Sequence, residues 1–407
     1  MKLIIISYSF PPKPGVGGRR WAKFAKWFQR KGHIVTVLTS RSLEAGSAWS
    51  ADIEGFKNKV IQVDCPPLPS ILASVPKNLV EKVKYRVAMS LMKQKADGNY
   101  YDASIGWSTF LVPHIKKLNK EGYTHVVASG GPFNYLLGIS EICSKLNMKF
   151  VSDFRDPWTN NETSFGYSEL TLGRLEIEKE KEVSVIRNSD AVVSVAETMT
   201  GYFRCLQDED KFHTIINGFD PDEIPTSIAR TTEKIQLVFV GTLYTKTLRH
   251  VNAFRDALDQ MENAEKLEVH FYGDMSEKAR SILDSSPAIH IHGLVSIDQA
   301  RNAIASADVT MLFLTDDLTY SFSTKFCEYV AASKPIWVIS QAGITPDYVE
   351  EHQIGVHSLP KAESIVKTLD NILSERKQFG GGYANFDSSG FNLDKLADKY
   401  LEILENA

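Results

Sequence analysis

FLTDDLTYSFSTKFCEYVAASKP, from Phe313 to Pro335, lies between two strand-like runs, Val309–Leu314 and Ile336–Ser340. Phe326, Tyr329 and Val330 fall at helical spacing within it. Strand, helix, strand is one step of a parallel sheet, because parallel neighbours need a crossover connection. The helix start carries chemistry as well. Ser321, Ser323, Thr324 and Lys325 all suit an anion. A helix N-terminus adds free N–H groups and partial positive charge, so a diphosphate binds there readily. Glu328, one turn further in, is placed to take the vicinal hydroxyls of a ribose. The other reading is an ordinary capped helix with a surface glutamate.

The same alternation extends in both directions. Toward the N-terminus, strands are predicted at Lys2–Tyr8, His33–Ser40, Val60–Cys65, His125–Ser129, Lys149–Asp153, Ala191–Val195 and His213–Ile216. In the second half they are predicted at Ile235–Val240, Leu267–Tyr272, His290–His292, Val309–Leu314, Ile336–Ser340 and Gly355–Leu359. Helical patterns fill the gaps, which is the signature of doubly wound parallel sheets. Ser296 with Gln299 predicts a capping box, and Thr345-Pro346 predicts a cap followed by proline at the first helical position.

The turn-rich Asn217–Thr231 divides the chain into two Rossmann-like domains facing a central cleft, 1–217 and 218–385. The closing helix, within 386–407, is expected to return to the first domain. Pro76–Lys95 reads as a basic amphipathic helix, either packed on the domain or meeting anionic lipid headgroups.

Composition narrows the function. The chain has 407 residues, 43% hydrophobic and 24% charged, with net charge -4. That balance disfavours a general nucleic-acid binder. No apolar run reaches the roughly 18–20 residues of a membrane span. MKLIIISYSF lacks a cleavage site and reads as a buried strand rather than a signal peptide. Cys65, Cys143, Cys205 and Cys327 are scattered, which suits a reducing cytoplasm and not a zinc site. Neither a metal nor a cofactor is expected. The Asp-x-Asp patterns at Asp208–Asp210 and Asp220–Asp222, and the pair Asp316-Asp317, read as polar turns.

Other strand ends carry candidates. In SFPPKPGVGGRRWAKF, Gly15, Gly17 and Gly18 let backbone approach a ligand where a helix begins. This is not GxGxxG, and no acidic residue ends the next strand, so a dinucleotide is disfavoured. Ser152-Asp153-Phe154-Arg155-Asp156-Pro157-Trp158 ends another strand. Arg155 would neutralise phosphate, and Asp156 would orient a sugar hydroxyl or act as a base; the alternative is an Arg–Asp pair that shapes the loop. Gly241, Thr242, Gly273 and Leu294 follow strands of the second half and are candidates to line a nucleotide, with Lys246 and Arg249 near its phosphates.

Taken in order, PPKPGVGGRR, KGHIVTVLTS, DFRDPW, NGFD, FVGTL, FYGD, IHGLVS and STKFCEYVAASKP resemble the GT-B glycosyltransferases of family 4. The resemblance spans nearly the whole chain. It implies a retaining, metal-independent hexosyltransferase-like enzyme using a nucleotide-diphosphate sugar and a saccharide or lipid-linked acceptor. It also implies the acceptor side on 1–217 and the nucleotide sugar on 218–385; the cysteine usage and the basic helix Pro76–Lys95 add the expectation of a cytoplasmic protein, peripheral at the inner membrane face if its acceptor is lipid-linked. Glu328 matches the second Glu of the family's Glu-x7-Glu motif, the ribose binder. Tyr320 stands where the first Glu would face the donor sugar. Arg155 or Asp156 falls where many members carry a histidine, and the RDPW form resembles a subgroup acting in cell-surface polysaccharide synthesis. Lys246, approximately, and Lys325 match the phosphate-binding cations. Two other readings are a GT-B nucleotide-sugar epimerase and a GT-B scaffold without catalysis that binds a partner.

Overall fold

Continuous apolar runs become strands buried on both faces, and that burial sets the architecture. A computed structural model describes residues 1–13, 16–41, 48–72, 76, 78–161, 166–207, 209–225, 233–375, 383 and 386–407. Within it lie two units, one of Met1–Ile215 with Ala397–Ala407 and one of Ile216–Leu396. Gly15, Asp208, residues 226–231 of the join and Gly380–Gly382 lie outside the described residues.

The first unit holds β1 (Lys2–Ser7), β2 (Ile34–Ser40), β3 (Val60–Val63), β4 (His125–Gly130), β5 (Lys149–Phe154), β6 (Ala191–Ser194) and β7 (Phe212–Thr214). They form one parallel sheet in the order β3-β2-β1-β4-β5-β6-β7. Leu3, Ile4, Ile5 and Ile6 are fully enclosed. The helix Arg19–Arg30 buries Trp21, Phe24 and Phe28 around Tyr400 of the helix Leu393–Asn406, with ring centroids 5.4–5.9 Å from it. Side chains of this size each contribute roughly 1.5–3 kcal/mol when buried.

The second unit holds β8 (Ile235–Val240), β9 (Leu267–Tyr272), β10 (Ile289–Gly293), β11 (Val309–Phe313), β12 (Ile336–Ile339) and β13 (Gly355–Ser358). Its parallel sheet runs β10-β9-β8-β11-β12-β13. Phe239, Phe254, Phe271, Phe313 and Trp337 pack one face; Phe326, Tyr329, Val330 and Val349 pack the other.

In both sheets the strand order reverses once, between β1 and β4 and between β8 and β11. Loops leaving the carboxyl ends of such neighbours part to opposite faces and open a crevice, where ligands of open α/β sheets bind. Both sequence-predicted glycine loops leave the sheets at these points.

All thirteen expected strands form. The capping box at Ser296 and Gln299 is present in full. Thr345 does not cap its helix: the helix begins at Ile344, whose N–H donates to the Thr319 carbonyl at 3.0 Å, and the cap position falls on Gly343. The amphipathic helix runs Leu79–Lys95 and turns Ala88 and Met92 inward. Leu79, Val83, Val87 and Leu91 do not pack on the domain. Periodicity alone does not say which of two apolar faces is covered.

Candidate functional site

In the second unit the site is built around the ends of β8 and β11. Ser323 caps the helix Thr324–Ala331, its hydroxyl accepting from the Phe326 N–H at 3.2 Å. Phe326, Cys327, Tyr329 and Val330 are buried and fix the rotation of this helix. Thr324, Lys325 and Glu328 are left on its half-buried side. Tyr329 ties the helix to the sheet, since its hydroxyl accepts from the Val240 N–H at 3.0 Å. The preceding loop is braced by rings. Phe322 stacks on Phe326 at 5.0 Å and meets Tyr348 and Phe391 edge-on, and its carbonyl accepts from Asn217.

Lys325 leans beneath Gly241. A Cβ on Gly241 would lie 1.9 Å from the lysine Cε and 2.2 Å from its Nζ. Gly241 also has φ 143°, a conformation that side chains resist. Only glycine lets backbone and ammonium approach so closely. Gly273 makes the next contact of the same kind, because its Cβ would sit 2.1 Å from the Gly241 carbonyl oxygen. The Gly241 N–H donates to the Tyr272 carbonyl at 2.8 Å, and the Gly273 N–H to the Gly293 carbonyl at 2.7 Å. The ends of β8, β9 and β10 are therefore drawn together as bare backbone.

The electrostatics of Lys325 are unusual. Its ammonium lies 4.9 Å from the centre of the Phe239 ring, and among the described residues no hydrogen-bond acceptor meets it. Burial pulls its pKa down to about 8, with Glu328, three residues on, pulling partly the other way. A cation held this way gains from any anion that arrives. Lys246 is placed differently. It is more than half exposed and paired with Asp317 at 2.8 Å, while Arg249 pairs with Asp316 at 3.0 Å. Tyr320 and Thr242 are half-buried in the loops beside the site, and Leu294 is 81% exposed.

The first unit has its own cluster. A Cβ on Gly17 would lie 2.2 Å from Arg155 Nη1, so the loop after β1 meets the loop after β5. Gly18 is pressed against backbone, its Cβ falling 2.2 Å from the Ser9 carbonyl oxygen. Arg155 donates from Nε and Nη2 to Asp156 Oδ2 at 3.2 and 3.0 Å, with about a quarter of each side chain exposed. Asp153 is enclosed between Arg20 at 3.5 Å and the Tyr400 hydroxyl at 3.3 Å. Burial raises its pKa, opposed mainly by Arg20. Trp158 is structural: it stacks on Phe133 at 5.2 Å and donates from Nε1 to Glu178.

Two positioning carboxylates escaped the sequence reading. Asp102 accepts from the N–H groups of Phe133 and Asn134 at 2.7 and 3.0 Å and so fixes the loop after β4. Its bonds to Ser104 at positions i and i+2 are an Asx turn, a pattern visible in the sequence. Glu178, on the helix Leu172–Asn188, is fully buried between Asn99, Trp158 and Lys181. Asp220 caps a short turn through the Asp222 N–H. Among the described residues, no three His, Cys, Asp or Glu side chains are grouped to hold a metal ion.

Residues 234–375 match the family model described as Glycosyl transferases group 1. The whole chain resembles several solved structures. Anabaena HepE, in complex with UDP and glucose, aligns over 100% of both chains with TM-score 0.66 and 13% identity. Sucrose-phosphate synthase from Thermosynechococcus elongatus aligns over 100% of this chain and 98% of that one, with TM-score 0.66 and 12% identity. UDP-GlcNAc 2-epimerase from Methanocaldococcus jannaschii aligns over 100% of both chains, with TM-score 0.59 and 13% identity. No curated protein sequence matches. The fold is GT-B, with two Rossmann-like parallel-sheet domains.

Proposed function

We propose that this protein is a retaining glycosyltransferase that moves a sugar from a nucleotide-diphosphate sugar to an acceptor hydroxyl. The acceptor is a saccharide or lipid-linked saccharide of cell-surface polysaccharide synthesis. The observation that carries the reading is Lys325, a half-buried cation beneath Gly241, at the strand-order reversal of a domain matching glycosyl transferases group 1. The HepE structures hold UDP and UDP-glucose on the same fold, which favours a uridine donor.

The chemistry follows from the donor. The bond between the anomeric carbon and the diphosphate oxygen breaks, and negative charge builds on the leaving diphosphate. Lys325 and the N–H groups at the start of the helix Thr324–Ala331 lie where they would stabilise that charge. Glu328 would hold the ribose hydroxyls, with Ser323 and Thr324 beside the phosphates. Gly241, Thr242, Gly273 and Leu294 would line the nucleotide, Tyr320 the donor sugar. Lys246, held by Asp317, is a secondary candidate for the phosphates. The acceptor oxygen bonds to the anomeric carbon on the face the diphosphate leaves, and its proton passes to a departing phosphate oxygen. Asp156, set by Arg155, orients the acceptor beside Gly17 and Gly18. No metal or cofactor takes part in this scheme.

The likeness to UDP-GlcNAc 2-epimerase supports a second reading, conversion of the nucleotide sugar without acceptor. Tyr320, in place of the family's glutamate, supports a third, a nucleotide-binding partner without turnover. The test is a thermal-shift panel with UDP, GDP, ADP and their sugars, followed by incubation of the stabilising donor. Bound ligand raises stability by RT ln(1 + [L]/Kd). Acceptor-dependent release of nucleoside diphosphate supports the transferase. An epimerised donor, or binding without any conversion, would replace it with the second or third reading.

A further inference from the structure

The helix Leu79–Lys95 has two apolar faces, and among the described residues only one is covered. At 100° per residue, Ala88 and Met92 fall on one side with Tyr85, and the first two are buried. Leu79, Val83, Val87, Val80 and Leu91 fall within an arc of about 120° on the opposite side. Their exposure is 80%, 59%, 54%, 64% and 37%. The helix is held without them. Asn78 caps it through the Glu81 N–H, and Arg174 clamps its far end through the carbonyls of Lys93, Ala96 and Gly98 at 2.6–2.7 Å.

Charge follows the borders of the exposed stripe. Lys82 and Arg86 project along one edge by the same geometry, and Lys84 and Lys95 along the other, while Lys93 sets its ammonium over the Tyr100 ring at 5.1 Å. Against these four bordering cations the helix carries a single carboxylate, Glu81. Among the described residues Lys82, Lys84, Arg86 and Lys95 form no ion pair. The chain as a whole carries net charge -4, so this is a local concentration.

The pattern selects its occupant. A protein-interface core favours aromatic residues, methionine and arginine and is depleted in lysine. This stripe is aliphatic, with lysine on both sides. A second copy would set like-charged borders against each other. A bilayer with anionic headgroups offers hydrocarbon to the stripe and negative charge to both edges at once, the lysine stems reaching up to the headgroups.

We propose that Leu79–Lys95 is a docking face for an anionic lipid surface, lying in the interface plane with Leu79, Val83 and Val87 toward the acyl chains. This goes beyond sugar transfer and stands or falls apart from it. Among the described residues no helix is long and apolar enough to cross a membrane, so contact of this kind is peripheral.

The test is co-sedimentation of the full chain with vesicles of phosphatidylglycerol in phosphatidylcholine, and with phosphatidylcholine alone. Binding to the anionic vesicles is expected at low salt and release at about 0.5 M. Two double variants, Val83→Asp/Val87→Asp and Lys82→Glu/Arg86→Glu, should each lose at least about tenfold in partitioning, since each cation alone accounts for roughly fivefold. Melting temperature should stay put, because all four side chains are exposed. Failure to bind anionic vesicles at low salt would overturn the proposal. So would equal binding to neutral vesicles, or wild-type partitioning by both variants. A wild-type dimer that Val83→Asp/Val87→Asp converts to monomer would assign the stripe to a second copy instead.

Discussion

The two strand-order reversals of this molecule look alike in outline and differ in charge. In the first unit Gly17 presses on a cation, Arg155, that already has its counter-ion in Asp156. In the second, Gly241 presses on a cation, Lys325, which among the described residues has no ion-pair partner and feels Glu328, three residues on. A paired guanidinium gains little from a further anion, whereas a desolvated ammonium gains a great deal. The same device, glycine over a cation, therefore suits two tasks. On the proposed reading, one region orients neutral hydroxyls and the other receives a diphosphate.

The widest break in that contrast should come from Lys325→Met. It is expected to lower turnover about 10²–10³-fold, the range for removing one donor to a developing oxyanion. It should also raise the stability of the ligand-free protein at pH 7 by about 2 kcal/mol, since a buried charge costs more than a methionine of similar length. Below pH about 8 the lysine is charged in both the folded and the unfolded chain, so the cost is fully present; it fades as pH rises toward the unfolded lysine's value. The stability gap between variant and wild type should narrow accordingly. Steady-state rates and denaturant unfolding at pH 7 and pH 10 check both halves.

Next in size is Glu328→Ala, expected to weaken nucleoside diphosphate binding by about 1.5–3 kcal/mol through loss of a charged acceptor. Calorimetric titration reads it directly, and unchanged affinity removes the ribose role. Asp156→Asn should cut transfer about tenfold or more and leave nucleotide affinity alone. Because Asp156 is also the partner of Arg155, the melting temperature decides the cause. A parallel fall in transfer and melting temperature makes the pair a loop brace, and the contrast between the regions loses its functional half. The smallest effect belongs to Lys246→Ala, within about threefold in turnover, because an exposed ion pair with Asp317 is worth under about 1 kcal/mol. A much larger loss would mean that Lys246 leaves Asp317 for the diphosphate.

Much of this was legible in the sequence, for a physical reason. Parallel strands buried on both faces read as unbroken apolar runs, so Leu3–Ile6 and Ile336–Ile339 announce themselves. Ser323 ahead of a buried helical pattern announces a cap. What stayed hidden depends on residues far apart in the chain. Phe322 finds Tyr348 and Phe391, and Gly17 finds Arg155, only after folding. Glu178 sits in IEKEKEV, a string that looks solvated, yet it is fully buried where Asn99, Trp158, Tyr167 and Lys181 all donate to it. Likewise, the counter-ion of a cation cannot be read from spacing. Asp317 beside Lys246 and, among the described residues, the lack of such a neighbour at Lys325 are facts of three dimensions.

Calorimetric titration of UDP into wild type and Lys325→Met across pH 7 to 9.5 tests the diphosphate seat most directly. An anion on Lys325 raises its pKa from about 8, so binding above that pH takes up a proton and weakens by as much as about tenfold per pH unit. The account predicts that slope, with proton uptake, in the wild type, and weaker, pH-independent binding in Lys325→Met. Equal affinity of the two proteins at pH 7, with the same flat profile, would contradict it.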